Sequence, residues 1–149
     1  MFGSGKGDFC RAMLRERDGR PTTGDLEACD IRYELDLPEV RFTQLDANAG
    51  LPYGDNHFDA VVAIEVLEHT RIPYQVLCDI HRIVKPGGLI AFSVPNVGHM
   101  LSRFTFLLNG HYWLYPGPSS DPKRQGSLSG HVSPLPFQYW HYGLRWAGF

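Results

Sequence analysis

The chain is 149 residues long, 43% hydrophobic and 20% charged, with a formal net charge of -2, which describes one globular domain over residues 1–149 rather than two independent ones. Fourteen Lys and Arg against sixteen Asp and Glu leave no basic excess for a phosphate backbone, so nucleic acid is not an expected partner. No run approaches the ~18 apolar residues of a membrane span and the N-terminus lacks an apolar signal core, so no membrane partner is expected and the expected compartment is the cytoplasm. Cys10, Cys29 and Cys78 have no Cys-x-x-Cys spacing and are read as free thiols.

Asp8, Phe9, Ala12 and Met13 open a first helix, closed at Gly19. A short polar strand is expected over Thr22 to Leu26, after the Gly19-Arg20-Pro21 turn. Residues 40 to 45 alternate with period two, and Ala60 to Ile64 and Leu89 to Val94 are continuous apolar runs, giving three further strands. Between the last two, Val76, Leu77, Ile80, Ile83 and Val84 repeat at helical spacing and stop at Lys85-Pro86-Gly87-Gly88. Strand alternating with helix predicts the α/β class, a mostly parallel sheet flanked by helices. After Pro95 the chain becomes aromatic. Residues 110 to 134 read as a long loop, and a last helix is expected from Ser133 as N-cap, with Pro134 in its first position, to Gly148.

Gly3-Ser4-Gly5-Lys6-Gly7-Asp8 is a glycine turn feeding a helix, where backbone can approach a ligand. Three ligand classes use such turns. A dinucleotide site would set Asp8 against a pyrophosphate, which disfavours NAD. A phosphate loop on Gly5-Lys6 needs a following Ser or Thr for magnesium, and the chain has Gly7, which weakens nucleotide hydrolysis as a reading. A cofactor with a ribose diol fits better, because Asp25 follows Gly3 by 22 residues, near the ~20 at which a second-strand carboxylate meets a ribose. Asp46 ends the next strand, where a carboxylate or its backbone would receive an adenine amine.

Phe58-Asp59-Ala60-Val61-Val62-Ala63-Ile64-Glu65-Val66-Leu67-Glu68-His69, followed by His81-Arg82-Ile83-Val84-Lys85-Pro86-Gly87-Gly88, resembles the class I S-adenosylmethionine-dependent methyltransferases. Leu51-Pro52-Tyr53 and Asp55-Asn56-His57-Phe58-Asp59 resemble the family's approach to its fourth strand, and Ala147-Gly148-Phe149 the end of its last helix. The resemblance implies a Rossmann-like fold and S-adenosylmethionine as cofactor. It places Gly3, Gly5 and Gly7 under the methionine and ribose parts, and Asp25 on the ribose hydroxyls. Asp30 or Glu27 is an alternative, because Thr22-Thr23-Gly24 is a poor buried strand. Asp46 and Ala47 would flank the adenine, and Ile64 and Glu65 would line the pocket near the methionine.

Only Met1 and Phe2 precede Gly3, so the family's first strand is expected to be lacking, as are its C-terminal strands. The implied reaction is in-line displacement of a methyl group by an unidentified acceptor, with a small molecule favoured. The alternative is a non-catalytic fragment or binding module. His69 is the candidate general base, since an imidazole titrates near neutrality. Within the aromatic region 97–149, Tyr112, Trp113 and Tyr115 would form an acceptor wall or lid. His81 is read as part of the sheet-packing helix, and the other five histidines form no pair at metal-ligand spacing, so no metal is expected.

Overall fold

Alternation along the strands and three-four spacing along the helices decide which faces are buried. The computed structural model describes residues 1–17, 25–31, 34–112 and 130–149. The element order is α1 (Asp8–Arg17), β1 (Leu26–Asp30), β2 (Val40–Gln44), β3 (Phe58–Ile64), α2 (Pro73–Ile83), β4 (Val84–Ser93), α3 (Met100–Asn109) and α4 (Phe137–Ala147), with single 3-10 turns at Ala47–Ala49 and Leu67–His69. β1 pairs with β2 and β3 with β4, both in parallel, as expected of the α/β class.

The expected gap at the first strand is partly closed. Phe2 forms parallel bridges to both Cys29 of β1 and Ala63 of β3. Its N–H donates to the Val62 carbonyl at 2.8 Å, while the Met1 carbonyl accepts from Cys29 N at 2.9 Å and Ser4 N donates to the Cys29 carbonyl at 3.0 Å. Met1 to Ser4 thus sits between the two strand pairs and satisfies backbone groups that would otherwise be orphaned at the centre of the sheet.

Successive residues of a strand face opposite sides, and β1 shows the division. Cys29 joins the main core with Val61, Ala63, Val76, Leu77, Ile80 and Trp140. Ala28 joins a second cluster with Cys10, Leu35 and Val40. α2 starts with Pro73 in its first turn and buries Val76, Leu77, Ile80 and Ile83, a stripe that fits one helical face. α4 packs against α2 with Trp140, Gly143 and Ala147 buried. A methyl at Gly143 would stand 2.8 Å from the Tyr74 ring, so the close crossing depends on its absence.

Several boundaries differ from expectation. The second strand begins at Leu26 rather than ending there, while residues 22 to 24 and Gly19 lie outside the described residues. β4 begins at Val84 and runs through Lys85-Pro86-Gly87-Gly88. α4 begins four residues later than Ser133, with Pro136 at its N-cap; the Ser133 hydroxyl donates instead to the Thr70 carbonyl at 2.8 Å. α3 has no counterpart among the expected elements. Its N-cap is His99, whose Nδ1 accepts from Ser102 N.

Candidate functional site

A cleft of about 460 Å³ opens at the C-terminal ends of β1, β2 and β3, lined among others by Gly3, Gly5, Asp30, Asp46, Ile64 and His69. This is where open parallel sheets bind ligands, and the volume lies in the range of small-molecule sites.

Gly3 and Gly5 have φ of 65° and 52°, a left-handed region in which a side chain is strained. A Cβ on Gly3 would lie 2.2 Å from Val66 Cγ2, whereas one on Gly5 would meet nothing within 4 Å. Gly5 therefore leaves space that is part of the cleft. Its N–H donates to Asp30 Oδ2 at 2.8 Å, which ties the glycine turn to the end of β1. Gly7 does not belong to the cleft lining. Its φ is 85° and its missing Cβ would strike Leu35 Cδ1 at 2.2 Å, so its role is to let α1 pack on the second core cluster.

Asp25 is corrected in the same way. It precedes β1, its side chain is 86% exposed, and Arg41 lies 3.9 Å away. It therefore stands at the strand end remote from the cleft, and the carboxylate in the cleft is that of Asp30. Glu27, the other alternative, pairs with Arg41 and is also absent from the lining.

Asp46 caps the 3-10 turn that follows β2. Its Oδ1 accepts from Asn48 N at 2.9 Å and Asn48 Nδ2 at 2.7 Å. Ala47 is buried beside it. Ile64 ends β3, and Glu65 follows with φ of 51°, an unusual conformation for a residue with a Cβ. The strained turn is held by Glu65 N donating to the Ser93 carbonyl at 3.1 Å and by the Ser93 hydroxyl donating to Glu65 Oε1 at 2.7 Å.

His69 also lines the cleft. Its Nδ1 lies 3.0 Å from the Gly130 carbonyl, which can only accept, so Nδ1 carries the proton and Nε2 presents a lone pair in the neutral ring. Nε2 stands 3.8 Å from Glu68 Oε1. Glu68 is buried, neither of its carboxylate oxygens has a hydrogen-bond partner among the described residues, and burial pushes its carboxyl up to about 7. His131 stacks on His69 with ring centres 5.0 Å apart, and burial, with the neighbouring His69, lowers its pKa.

Ile31, Leu45, Asn48, Val66 and Thr70 also line the cleft and were not expected from the sequence. Each lies within a few residues of a strand end, the one signal that would have found them. Of the aromatic wall, Tyr112 stacks on Phe106 at 5.0 Å, while Trp113 and Tyr115 lie outside the described residues.

A parallel sheet with a glycine turn and a carboxylate at adjoining strand ends defines a cofactor-binding α/β domain. Residues 1–92 match the family model described as methyltransferase domain, and the chain belongs to this family, the class I S-adenosylmethionine-dependent methyltransferases. It is 32% identical over 101 residues to the ubiquinone biosynthesis O-methyltransferase of Paracidovorax citrulli, covering 63% of this chain and 42% of that protein. It is 31% identical over 105 residues to the demethylmenaquinone methyltransferase of Renibacterium salmoninarum, covering 68% and 44%. The chain therefore spans less than half the length of these relatives. A SAM-dependent methyltransferase from Archaeoglobus fulgidus shares the fold with TM-score 0.69 at 18% identity, over 99% of this chain and 58% of that one. A phosphoethanolamine N-methyltransferase from Haemonchus contortus, solved with S-adenosylhomocysteine, gives TM-score 0.65 at 16% identity, over 99% and 32%.

The cleft fits the family's cofactor: Gly5 leaves room for it, the Asp30 carboxylate lines the same cleft, and Ala47 offers an apolar floor beside Asp46.

Proposed function

We propose that this domain binds S-adenosylmethionine in the cleft and transfers its methyl group to a small-molecule acceptor. Gly3 and Gly5 lie under the methionine and ribose, Asp30 accepts from the ribose hydroxyls, Asp46 to Asn48 flank the adenine, and Ile64 and Glu65 border the methionine. The observation that carries this reading is the Asp30 carboxylate, fixed by the Gly5 N–H at 2.8 Å within the same cleft as the glycine turn and Asp46. Bound there, the cofactor supplies an electrophilic methyl group on a sulfonium. The residues of the chain then hold it in line with the acceptor and exclude water. Where the acceptor carries a proton, His69 Nε2 takes it, with Nδ1–H fixed on the Gly130 carbonyl.

A small-molecule acceptor is supported by the two curated relatives, one named for O-methylation in ubiquinone biosynthesis and the other for demethylmenaquinone. Among the described residues no helix is long and apolar enough to cross a membrane, and a cytoplasmic location belongs to this proposal. Because the chain covers less than half of those relatives, a binding module without transferase activity is the second reading. Calorimetric titration of the folded chain with S-adenosylhomocysteine, with ATP and NAD as controls, tests the site. Selective binding supports it, and binding of none of the three overturns it. Methyl transfer by the chain would then remove the second reading.

A further inference from the structure

We propose that Glu68, His69 and His131 form a site for a zinc-class divalent cation at the His69 wall of the cleft. This rests on the cofactor reading only for its purpose, not for its existence. One ligand atom from each residue lies within 4.8 Å of the other two. Tetrahedral ligands on an ion with bonds of ~2.1 Å stand ~3.4 Å apart, so the set needs to close by up to ~1.4 Å, within reach of side-chain rotation. His69 Nε2 and Glu68 Oε1, at 3.8 Å, are within ~0.4 Å of that separation.

Two observations point to a cation rather than to a chance cluster. The first is the tautomer of His69: with Nδ1–H directed at the Gly130 carbonyl, the neutral ring turns its Nε2 lone pair toward Glu68 Oε1 at 3.8 Å, with no cationic side chain between them among the described residues. A backbone carbonyl on the far nitrogen is also the usual way a metal-bound imidazole is oriented. The second is Glu68 itself, whose side chain is only 2% exposed and whose oxygens both lack a hydrogen-bond partner among the described residues. Burying a carboxylate unpaired is costly, and an ion between it and the imidazoles removes that cost.

The donor set decides the ion. Two imidazoles and one carboxylate suit zinc and its neighbours better than magnesium or calcium, which favour oxygen alone, and three protein ligands leave a position open. His69 belongs to both the cluster and the cleft wall, so the open position serves an acceptor oxygen. The ion would lower the pKa of an acceptor hydroxyl, whose proton leaves to water. In that state Nε2 is occupied and His69 does not act as base.

The test is titration of the EDTA-treated 149-residue chain with Zn²⁺, Mn²⁺ and Mg²⁺, together with the visible spectrum of the Co²⁺ form. One equivalent of Zn²⁺ is expected, Mg²⁺ binding far more weakly, and the Co²⁺ spectrum should lack a thiolate charge-transfer band. Glu68→Gln and His131→Ala should each weaken Zn²⁺ by more than the ~10–100-fold that loss of an outer partner costs, while Cys78→Ser leaves it unchanged. No stoichiometric binding by a chain folded by circular dichroism overturns the proposal. So does a thiolate band, or unchanged affinity in His131→Ala, which decides alone should Glu68→Gln not fold. Parallel titration with S-adenosylhomocysteine separates the two readings, since either ligand is able to bind without the other.

Discussion

At the glycine-turn end of the cleft the carboxylates are held by backbone donors: Asp30 takes the Gly5 N–H, and Asp46 takes Asn48 N. At the His69 end a carboxylate is buried with no donor among the described residues, beside an imidazole whose lone pair faces it in the neutral ring. The first end is organised without help from a ligand, whereas at the second no donor among the described residues meets the carboxylate. Complementarity at one end is therefore chiefly a matter of shape, and at the other a matter of charge.

The largest expected effect tests the shape. Leu at position 5 would fill the space left open beside the turn, since a Cβ there meets nothing within 4 Å. Gly5→Leu should abolish S-adenosylhomocysteine binding, a loss of at least ~1,000-fold or roughly 4 kcal/mol. The fold should lose only the ~1–2 kcal/mol of a left-handed residue. Calorimetry beside thermal melting separates the two, and retained affinity would remove Gly5 from the site.

The next effect tests the charge. In the chain stripped of divalent ions, Glu68 stays protonated up to about 7 when folded, against 4.5 when unfolded. Between these values the unfolded state has released a proton that the folded state keeps, so stability falls as pH rises through that window and levels off above it. The loss is at most about 3 kcal/mol. Glu68→Gln removes this slope, so urea unfolding in EDTA at pH 4 and pH 8 should show parent and variant converging in acid and the variant ahead in base. An identical pH dependence would mean that the carboxyl is not desolvated.

Asp30→Ala should weaken S-adenosylhomocysteine by ~10–100-fold, the worth of charge-assisted hydrogen bonds to a diol, while Asp25→Ala leaves affinity unchanged. Equal losses would return Asp25 to the site. This pair also shows where sequence patterning loses hold. Counting from the glycine turn points to Asp25, but the strand is displaced because its core residues, Ala28 and Cys29, are small and lie between Glu27 and Asp30, so no apolar run marks it. β3 and α2 were legible because Val61, Ala63, Val76, Leu77 and Ile80 are buried at strand and helix spacing. α3 was not legible: Met100, Leu101, Phe104, Phe106, Leu107 and Leu108 remain exposed, and apolar residues all round a helix leave no period to read. The Glu68, His69 and His131 cluster was hidden for another reason. Its histidines are 62 residues apart, and only folding brings them together.

The smallest expected effect tests how that distant piece is held. Residues 130–135 reach the Leu67–His69 turn through four hydrogen bonds whose distances are known: Val132 N and Ser133 N donate to the Glu68 carbonyl at 3.0 and 2.8 Å, the Ser133 hydroxyl donates to the Thr70 carbonyl at 2.8 Å, and His69 Nδ1 donates to Gly130 at 3.0 Å. Ser133→Ala removes only the hydroxyl. Its loss should lower stability by about 1 kcal/mol, readable as a shift in the urea midpoint. If this segment supplies His131 to an ion, the same substitution should also loosen Zn²⁺ by a few-fold while leaving S-adenosylhomocysteine affinity at the glycine end untouched. Both affinities falling together would show that the two ends of the cleft are mechanically coupled, and that the division between shape and charge is one of chemistry alone.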